Sequence, residues 1–306
     1  MTQSIFDLPG RFWRGNLHTH SDLSDGVLSP AEVCQRYQDE GYDFLALTDH
    51  FVGEYNYPIA DTKPFRTDSF TTILGAELHS GAMENGELWH ILAVGLPEDF
   101  APSHSPSFHP VAGQETGPEL AQRAWDAGAY VAIAHPEWGG MSFGDANSIK
   151  AAHAVEVYNH TCGVDCDRAN GHYMLDQLLT AGRQLNLCAT DDAHFSEPDS
   201  FGGWVMVKAA ENTPQALLDA LKAGHYYSST GPDFTGIVWE EDRVTVRTSP
   251  VKAVIVQGKG SHSFCVHGTD MTDTEVPLER LRGSPWMRIT IVDETGHRAW
   301  SNPVYR

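Results

Sequence analysis

Short apolar runs recur along the chain, and this recurrence constrains the fold more than any other feature of the sequence. Eight runs predict strands, and their nearly continuous hydrophobicity indicates burial on both faces. They span residues 12–17, 43–48, 72–76, 88–94, 130–134, 154–158, 185–189 and 204–208. Three segments between them predict helices, which begin at Ser29-Pro30, Pro118 and Thr213-Pro214 and are closed by Gly41, Gly128 and Gly224. This alternation predicts an α/β fold, and eight strands over about 220 residues favour a parallel barrel.

The pattern changes after Gly231-Pro232. Strands are predicted at 234–240, 243–249, 253–257, 263–266 and 287–292, with hairpin turns at 240–242 and 293–296. The sequence therefore predicts two units, a barrel over residues 1–230 and a small C-terminal β domain or appendage over residues 231–306. Two long connections rich in Pro, Gly and His, 52–68 and 97–117, are candidate lids or rim loops.

Metal-competent side chains cluster at the ends of the predicted strands. The chain has 16 His against 20 Lys and Arg together. Five predicted strands end on such residues, which are His18 and His20, Asp49 and His50, Glu77, His135, and Asp192 with His194, and His90 opens a sixth strand. The carboxyl ends of parallel barrel strands converge at one mouth, and residues two apart on an extended chain point to the same side. Imidazole and carboxylate together suit Zn, Fe and related ions, so the pattern predicts a metal cluster.

Six segments carry a resemblance to a known family. In chain order they are NLHTHSDLSDG, LALTDH, GAEL, HILAVG, AHP and DDAH. This series resembles the motifs of the PHP (polymerase and histidinol phosphatase) family of metal-dependent hydrolases, over roughly residues 12–230. The last stretch, RAWSNPVY, is similar to the CehA/McbA-like branch, which is named for carbaryl hydrolase. The resemblance implies a distorted (β/α)7 TIM-like barrel that binds two or three divalent ions, Zn, Mn or Fe.

The resemblance also implies how the ligands are shared among the ions. His18, His20, Glu77 and Asp192 would hold the first ion. Glu77 would bridge to a second ion, completed by His90 and His135, and a third would be held by Asp25, His50 and His194. All nine positions carry a metal-competent side chain. His90 opens an apolar run, so the alternative to a metal ligand at this position is a histidine buried in the core. Asp49 is expected to orient an imidazole, and Asp191 to do the same or to cap its loop.

The predicted reaction is hydrolysis of an ester by a hydroxide that bridges the ions sharing Glu77. Glu77, Asp192 and His194 are the candidate catalytic residues. Asp192 or His194 could move the proton, but ligands are poor acids while coordinated, so a metal-bound water is the better candidate. His79, Asn159, His160 and Arg168 follow strand ends and could face the substrate. Of these, His160 and Arg168 are the candidate substrate-binding residues, and a solvated loop is the alternative for all four.

The predicted substrate is a small-molecule phosphate ester. Many phosphatases of this family have an arginine soon after the His-Pro motif, whereas His135-Pro136 is followed here by Glu137 and Trp138. A phosphomonoester dianion normally requires an Arg or Lys besides metals, for which Arg168, Arg66 and Lys63 are candidates. The departure favours a less charged ester. A phosphodiester, or a carboxylic or carbamic ester hydrolysed by the same site, is therefore the alternative.

Three other functional classes are weighed against this prediction. An exonuclease-like or polymerase-associated role conflicts with the net charge of −21, so no extended nucleic-acid surface is expected. A metal-binding module without turnover conflicts with the complete ligand set. A conventional amidohydrolase typically bridges its metals with a modified Lys, whereas Glu77 stands in the corresponding place.

The expected location is the cytoplasm. The five cysteines indicate a reducing compartment, the N-terminal stretch 1–15 lacks the pattern of a secretory signal, and no apolar run is long enough to span a bilayer. The oligomeric state is left open.

Overall fold

The computed structural model describes residues 4–306. Residues 1–3 lie outside the described residues. They are the first residues of the predicted barrel unit and of the N-terminal stretch for which no secretory signal is predicted. The helices are α1 (Pro30–Asp39), α2 (Gly117–Asp126), α3 (Phe143–Ser148), α4 (His160–Cys166), α5 (His172–Thr180) and α6 (Pro214–Lys222). Single 3-10 turns lie at Ile5–Asp7, Gly53–Tyr55, Lys63–Phe65 and Glu279–Leu281. No helix within residues 4–306 has both the length and the apolar character needed to cross a membrane.

The strands form one mixed sheet. They are β1 (Arg11–Asn16), β2 (Phe44–Leu47), β3 (His50–Phe51), β4 (Thr71–Leu78), β5 (Ile91–Val94), β6 (Tyr130–Ile133), β7 (Ala154–Asn159), β8 (Asn186–Thr190), β9 (Trp204–Ala209), β10 (Tyr226–Ser229), β11 (Phe234–Trp239), β12 (Arg243–Gly258), β13 (Ser263–Pro277), β14 (Trp286–Val292), β15 (Arg298–Ser301) and β16 (Val304–Tyr305). The main path runs β11-β12-β14-β15-β10-β9-β1-β2-β4-β5-β6-β7-β8. Each of the eight strands predicted in the barrel segment is present.

The three predicted helices are confirmed as α1, α2 and α6. Side-chain caps explain their starts: Ser29 accepts a hydrogen bond from the Glu32 amide, and the Glu32 carboxylate accepts one from the Ser29 amide. Such reciprocal capping satisfies amides that have no partner within the helix. The helices α3, α4 and α5 were not predicted. The first two have only six and seven residues, which gives little room for an amphipathic period. The nine-residue α5 is as long as α6 but lacks the side-chain cap and first-turn proline that mark the start of α6.

The strand directions differ in part from the predicted parallel sheet. The pairs β1/β2, β2/β4, β6/β7 and β7/β8 are parallel. In contrast, β5 is antiparallel to both β4 and β6, and β9 is antiparallel to β1. The physical reason at β5 is its connection, since residues 79–90 contain no helix and the chain turns directly back along β4.

The chain returns to β1 immediately after β8. The Asp192 amide donates to the His18 carbonyl over 2.8 Å, and the His20 amide donates to the Ala193 carbonyl over 2.9 Å. These bonds place the residues that follow β8 beside those that follow β1, and a parallel bridge joins Thr19 to Ala193. The architecture is therefore an α/β fold with a large mixed sheet, whereas the description as a distorted (β/α)7 barrel stays a prediction.

The C-terminal strands continue the same sheet through the pairing of β10 with β15. The strand β12 runs through both predicted segments 243–249 and 253–257, with irregular pairing between Arg247 and Val251. The strand β13 continues beyond the predicted segment 263–266, and the residues that it adds are mostly polar. Trp286 and Trp300 are buried in the same apolar cluster as residues of β4 to β8. The two parts thus share a core, and the boundary at 230/231 stays a prediction.

Candidate metal centre

The nine predicted ligands lie together at one edge of the strands β1 to β8. Six of them line a cavity of about 530 Å³: Asp25, His50, His90, His135, Asp192 and His194. His18 and His20 follow β1, His135 follows β6, and Asp192 and His194 follow β8. His50 begins β3, Glu77 lies near the end of β4, and Asp25 lies in the loop before α1. His90 directly precedes β5. Since β5 is antiparallel to β4, its start lies at the same edge as the end of β4. This explains how a residue that opens a strand joins residues that close others.

Glu77 lies at the centre of the cluster and is fully buried. Its Oε1 lies 2.8 Å from His90 Nδ1 and 2.9 Å from His135 Nε2. Its Oε2 lies 2.6 Å from His50 Nδ1 and 3.6 Å from His18 Nε2. The two oxygens of one carboxylate therefore face two separate sets of imidazoles, which is the arrangement that a bridging ligand requires.

Two atoms in the cluster, His18 Nε2 and Glu77 Oε2, are buried and make no hydrogen bond, since the close contact of Glu77 Oε2 with His50 Nδ1 lacks hydrogen-bond geometry. Leaving buried polar atoms unpaired is unfavourable, so such atoms indicate an absent partner. With metal–ligand bonds of about 2.0–2.2 Å, two ligand atoms on one ion lie roughly 3–3.5 Å apart. The 3.6 Å separation of these two atoms is close to that range. The residues present thus fit a cation.

Asp192 joins the two histidines that follow β1. Its Oδ1 lies 2.8 Å from His20 Nε2 and 3.2 Å from His18 Nε2. Its other oxygen accepts a hydrogen bond from Asn159 Nδ2 over 2.9 Å. The side chain is thus held with one oxygen directed at the imidazoles, and His18, His20 and Asp192 form a group that could hold an ion.

A more exposed group forms around Asp25. Its Oδ1 lies 3.4 Å from His194 Nε2, and its Oδ2 lies 3.3 Å from His50 Nε2. His20 Nδ1 is 3.8 Å from the same carboxylate. His50 therefore presents one ring nitrogen to Asp25 and the other to Glu77, so this ring connects the exposed and buried parts of the cluster.

The ligand atoms form groups that differ in two respects from the predicted assignment of residues to the three ions. His135 groups with His18 and Glu77, and His90 groups with His50, Glu77 and His79. His79 was predicted only as a residue that could face the substrate. It is fully buried, and its Nε2 lies 2.9 Å from His50 Nδ1. His90 lies in this cluster and not in the apolar core. The assignment of individual residues to individual ions stays a prediction.

The charges of the cluster are mutually compensating. Burial alone would raise the pKa of Glu77, but His90, His50 and His18 hold it well below its ordinary value. Burial lowers the pKa of His50, yet Glu77 and Asp25 outweigh it and raise that pKa to about 10. Burial, together with His50 and His194, lowers the pKa of His20 to about 3. The carboxylates are thus ionised, as ligands must be.

Three buried carboxylates that are not among the nine predicted ligands hold a ligand or a nearby loop in position. Glu156 Oε1 lies 3.0 Å from His18 Nδ1, which leaves His18 Nε2 directed at Glu77. Asp49 accepts hydrogen bonds from the Ser21 amide and from the Ser21 and Ser24 hydroxyls, so it holds the loop that leads to Asp25. Asp49 makes no direct hydrogen bond to an imidazole within residues 4–306, but the Ser24 hydroxyl that it binds lies 3.5 Å from His20 Nδ1. Its predicted role of orienting an imidazole stays a prediction.

Asp191 follows the second of its two predicted roles and caps a loop. It accepts hydrogen bonds from the Tyr37 hydroxyl and from the amides of Phe201, Gly202 and Gly203. Glu156, in contrast, was not predicted at all. The available signal was a glutamate in the middle of an otherwise apolar strand, AVEVYN, because a buried charge requires a partner.

The two candidate substrate-binding residues do not line the cavity. His160 Nδ1 lies 2.9 Å from the Tyr158 hydroxyl, and exposed Arg168 donates to the Trp138 carbonyl over 3.3 Å. Arg66 donates to Thr72, and Lys63 pairs with Glu98. The role of His160 and Arg168 in binding stays a prediction. Among the predicted rim loops, 97–117 reaches the cavity through Phe108, whose ring lies 4.9 Å from that of His50.

Comparison with known proteins shows a shared fold. The chain matches no protein-family model and no curated protein at a significant level. It resembles a solved two-domain protein from Bacteroides vulgatus, which contains a predicted PHP-like metal-dependent phosphoesterase, with 15% identity and a TM-score of 0.53. That similarity covers 97% of this chain and 98% of the other. The agreement over nearly the whole of both chains shows that they have the same overall fold.

Two further solved structures resemble part of the chain. A putative metal-dependent phosphoesterase from Bifidobacterium adolescentis has 15% identity and a TM-score of 0.45, covering 61% of this chain and 90% of that one. An amidohydrolase from Chromobacterium violaceum, with bound sulfate and no metal, has 17% identity and a TM-score of 0.45, covering 60% and 89%. The CehA/McbA-like resemblance of the last stretch stays a prediction.

Proposed function

We propose that this chain is a metal-dependent hydrolase, and that its substrate is a small-molecule phosphate ester. The observation that carries the proposal is the arrangement of Glu77, whose two carboxylate oxygens each face a different set of imidazoles. The fold shared with a two-domain protein that contains a predicted PHP-like metal-dependent phosphoesterase supports the same class of reaction.

Two or three divalent ions, Zn, Mn or Fe, would be held by the nine residues. The proposed ligand sets are His18, His20 and Asp192 beside Glu77 Oε2, His90 and His135 beside Glu77 Oε1, and His50 and His194 beside Asp25. When bound, such ions would lower the pKa of a water between them and polarise the oxygen of the substrate. Mixed imidazole and carboxylate donors are compatible with each of the three metals.

The catalytic roles proposed for the chain's own residues follow from their contacts. Glu77 bridges the two buried ligand sets and keeps them at a fixed separation. Asp192 is oriented by Asn159 and lies beside His18 and His20. His194 lines the cavity, and 19% of its side chain is exposed, so it could exchange a proton between bound substrate and solvent while it is not coordinated to an ion. Glu77, Asp192 and His194 are therefore the proposed catalytic residues.

The wall of the cavity indicates the charge of the substrate. Besides the predicted ligands, it carries the acidic residues Glu87, Asp165 and Asp199, and no Lys or Arg of the described chain lines it. A dianionic phosphate monoester would therefore find no fork of N–H donors and would meet three further negative charges. We accordingly propose that an ester with at most one negative charge, such as a phosphodiester, is preferred.

A carboxylic or carbamic ester is the alternative substrate of the same site. It is favoured by the apolar side chains Leu88, Phe108 and Trp138, which line the cavity together with the acidic residues. The Trp138 ring lies 5.1 Å from His90 and 5.0 Å from His135, so an aromatic group of the substrate could pack beside the cluster. For either substrate class, the charge of −21 supports a small molecule over a nucleic-acid polymer.

The test is release of nitrophenol from p-nitrophenyl phosphate, bis-p-nitrophenyl phosphate and p-nitrophenyl acetate by the protein reconstituted with Mn or Zn. We expect the diester to be hydrolysed faster than the monoester. The Asp192→Asn variant should lose at least a hundredfold in turnover, about 3 kcal/mol, since it removes a charged ligand. The exposed Asp68→Asn, which makes the same chemical change far from the cavity, is the matched control.

The rates for the three esters distinguish the proposed substrate class from its alternatives. Turnover of acetate alone, lost in Asp192→Asn and kept in Asp68→Asn, would replace the phosphoesterase with the carboxylic or carbamic ester hydrolase. Faster turnover of the monoester would contradict the preference for a single charge. Full metal loading with no turnover of any of the three esters would contradict the proposed phosphoesterase.

A further inference from the structure

A second cavity lies where the strands of the barrel segment meet the C-terminal strands. Its volume is about 420 Å³, within the range of small-molecule sites. Its wall combines Tyr158, Asn170 and His172 from the barrel segment with Arg288, Arg298 and Trp300 from the C-terminal strands. None of these residues belongs to the metal centre or lines its cavity.

The cavity is cationic in a strongly acidic chain. Arg288 donates to both carboxylate oxygens of Asp176 and also to Gln257 and Thr290. Four of its five N–H donors are thus used inside the protein. Arg298 is different, because its guanidinium makes no ion pair with any carboxylate within residues 4–306. Arg298 therefore supplies the charge that a ligand could neutralise.

Two acidic side chains near this wall are already engaged. Asp176 is paired with Arg288. Asp293 accepts hydrogen bonds from the Thr295 hydroxyl and from the amides of Gly296 and His297. A third, Glu294, lines a neighbouring cavity together with Arg298. An incoming anion would therefore meet the exposed, unpaired guanidinium of Arg298, with Asp176 and Asp293 bound elsewhere.

His172 adds a neutral ring to the wall. It is the first residue of α5 and lines the cavity. Burial, with Arg288 and Arg298 nearby, lowers the pKa of His172 to about 3, so the ring is neutral at neutral pH. Its Nδ1 is closed off from water, so the ring contributes flat surface to the cavity and no charge.

Aromatic side chains line the same cavity. Arg298 and Trp300 are two residues apart on β15, so their side chains leave the same face of that strand. The rings of Tyr158 and Trp300 stack at 6.0 Å with an interplanar angle of 27°, and the ring of His172 lies 5.1 Å from that of Trp300. The cavity therefore combines cationic groups with aromatic rings. That combination suits an organic anion better than a bare ion, because only the former buries apolar surface against the rings.

We propose that this cavity is a binding site for a small organic anion, with a carboxylate or phosphate group at Arg298 and a flat apolar body against Trp300. The site joins the barrel segment to the C-terminal strands and is distinct from the metal centre. It does not depend on the reaction proposed for that centre.

The test uses the full-length, metal-loaded protein and calorimetric titration with three probes: benzoate, the neutral isostere benzamide, and inorganic phosphate. We expect benzoate to bind and to change tryptophan fluorescence, and benzamide to bind at least about tenfold more weakly because it lacks the charge. Arg298→Gln should weaken benzoate binding by a similar factor. Arg282→Gln, which removes an exposed arginine outside the cavity, should bind benzoate like the wild type.

Two comparisons keep the result interpretable. Circular dichroism and Tm of Arg298→Gln check its fold, and Arg298→Lys, which keeps the charge, should recover part of the affinity. Phosphate binding that also requires Arg298 would support the site and assign the anionic group. Equal benzoate affinity in Arg298→Gln, equal affinity for benzamide, or no binding of either anion would overturn the proposal.

Discussion

Glu156 shows how one buried residue can set the orientation of a ligand that it does not replace. It is fully surrounded by protein and accepts hydrogen bonds from the His135 amide and from Asn159, while His18 Nδ1 lies 3.0 Å away. Burial raises the pKa of Glu156, but His18 outweighs it, and the pKa lies below its ordinary value. The ionised carboxylate fixes which ring nitrogen of His18 faces Glu77.

Glu156→Gln tests this role. Glutamine keeps the size of the side chain but removes its charge, so His18 is held less firmly. We expect metal affinity to fall by about 10- to 100-fold while the fold is kept. Competition with a chromophoric chelator measures the affinity. Glu211→Gln, the same change on the exposed surface, is the control, and equal affinities in the two variants would contradict the role given to Glu156.

At the scale of elements, loops that follow the strands are fixed by buried carboxylates. Asp191, directly after β8, binds the Tyr37 hydroxyl at 2.7 Å and the amides of Gly202 and Gly203 at 2.8 Å each. These contacts tie α1 and the segment before β9 to the end of β8. Because Asp192 follows immediately, the same contacts also position a proposed metal ligand.

The substitution Asp191→Asn should weaken the contacts that hold α1 and the segment before β9 against the end of β8. The amide group of asparagine places two N–H donors where Asp191 accepts hydrogen bonds from backbone amides, so at least one bond is replaced by a donor–donor contact. We expect the free energy of unfolding to fall by about 2 kcal/mol or more. Urea unfolding of the metal-free variant measures it, which separates this effect from metal binding. A loss no larger than that of Asp68→Asn would show that the loop is held by other contacts.

At the scale of the whole molecule, the C-terminal strands complete a core that the barrel segment does not close by itself. Trp286 and Trp300 are buried in the cluster formed by β4 to β8. Tyr227 of β10 packs instead among the apolar residues of β11, β12 and β14. The order of strands is also continuous, since β10 pairs with β9 on one side and β15 on the other.

A chain cut after residue 230 should therefore not fold cooperatively. It would lose both tryptophans from the core and leave β10 with an unpaired edge, which promotes aggregation. Thermal unfolding followed by circular dichroism, beside the full chain, measures the effect. A sharp transition of the shortened chain, together with full metal binding, would establish residues 1–230 as an independent domain and contradict this expectation.

The amino-acid sequence by itself determined the eight strands before residue 230, three capped helices and the residues that gather at the candidate metal centre. Apolar runs, caps and strand ends are local features, so they can be recognised without knowing which strands are neighbours. The sequence also placed Glu77 with the imidazoles, because it ends a predicted strand, whereas its bridging role was an implication of the family resemblance.

Only the tertiary structure decided the direction of β5, the burial of His79 among the ligands, the contact of Glu156 with His18 and the cavity around Arg298. Each of these depends on pairs of residues far apart in the chain. Glu156 and His18 are 138 positions apart, and Arg298 reaches the wall that holds His172 only because β15 pairs with β10. Such contacts are set by how strands and helices pack together, and packing leaves no local period in the sequence from which they could be predicted.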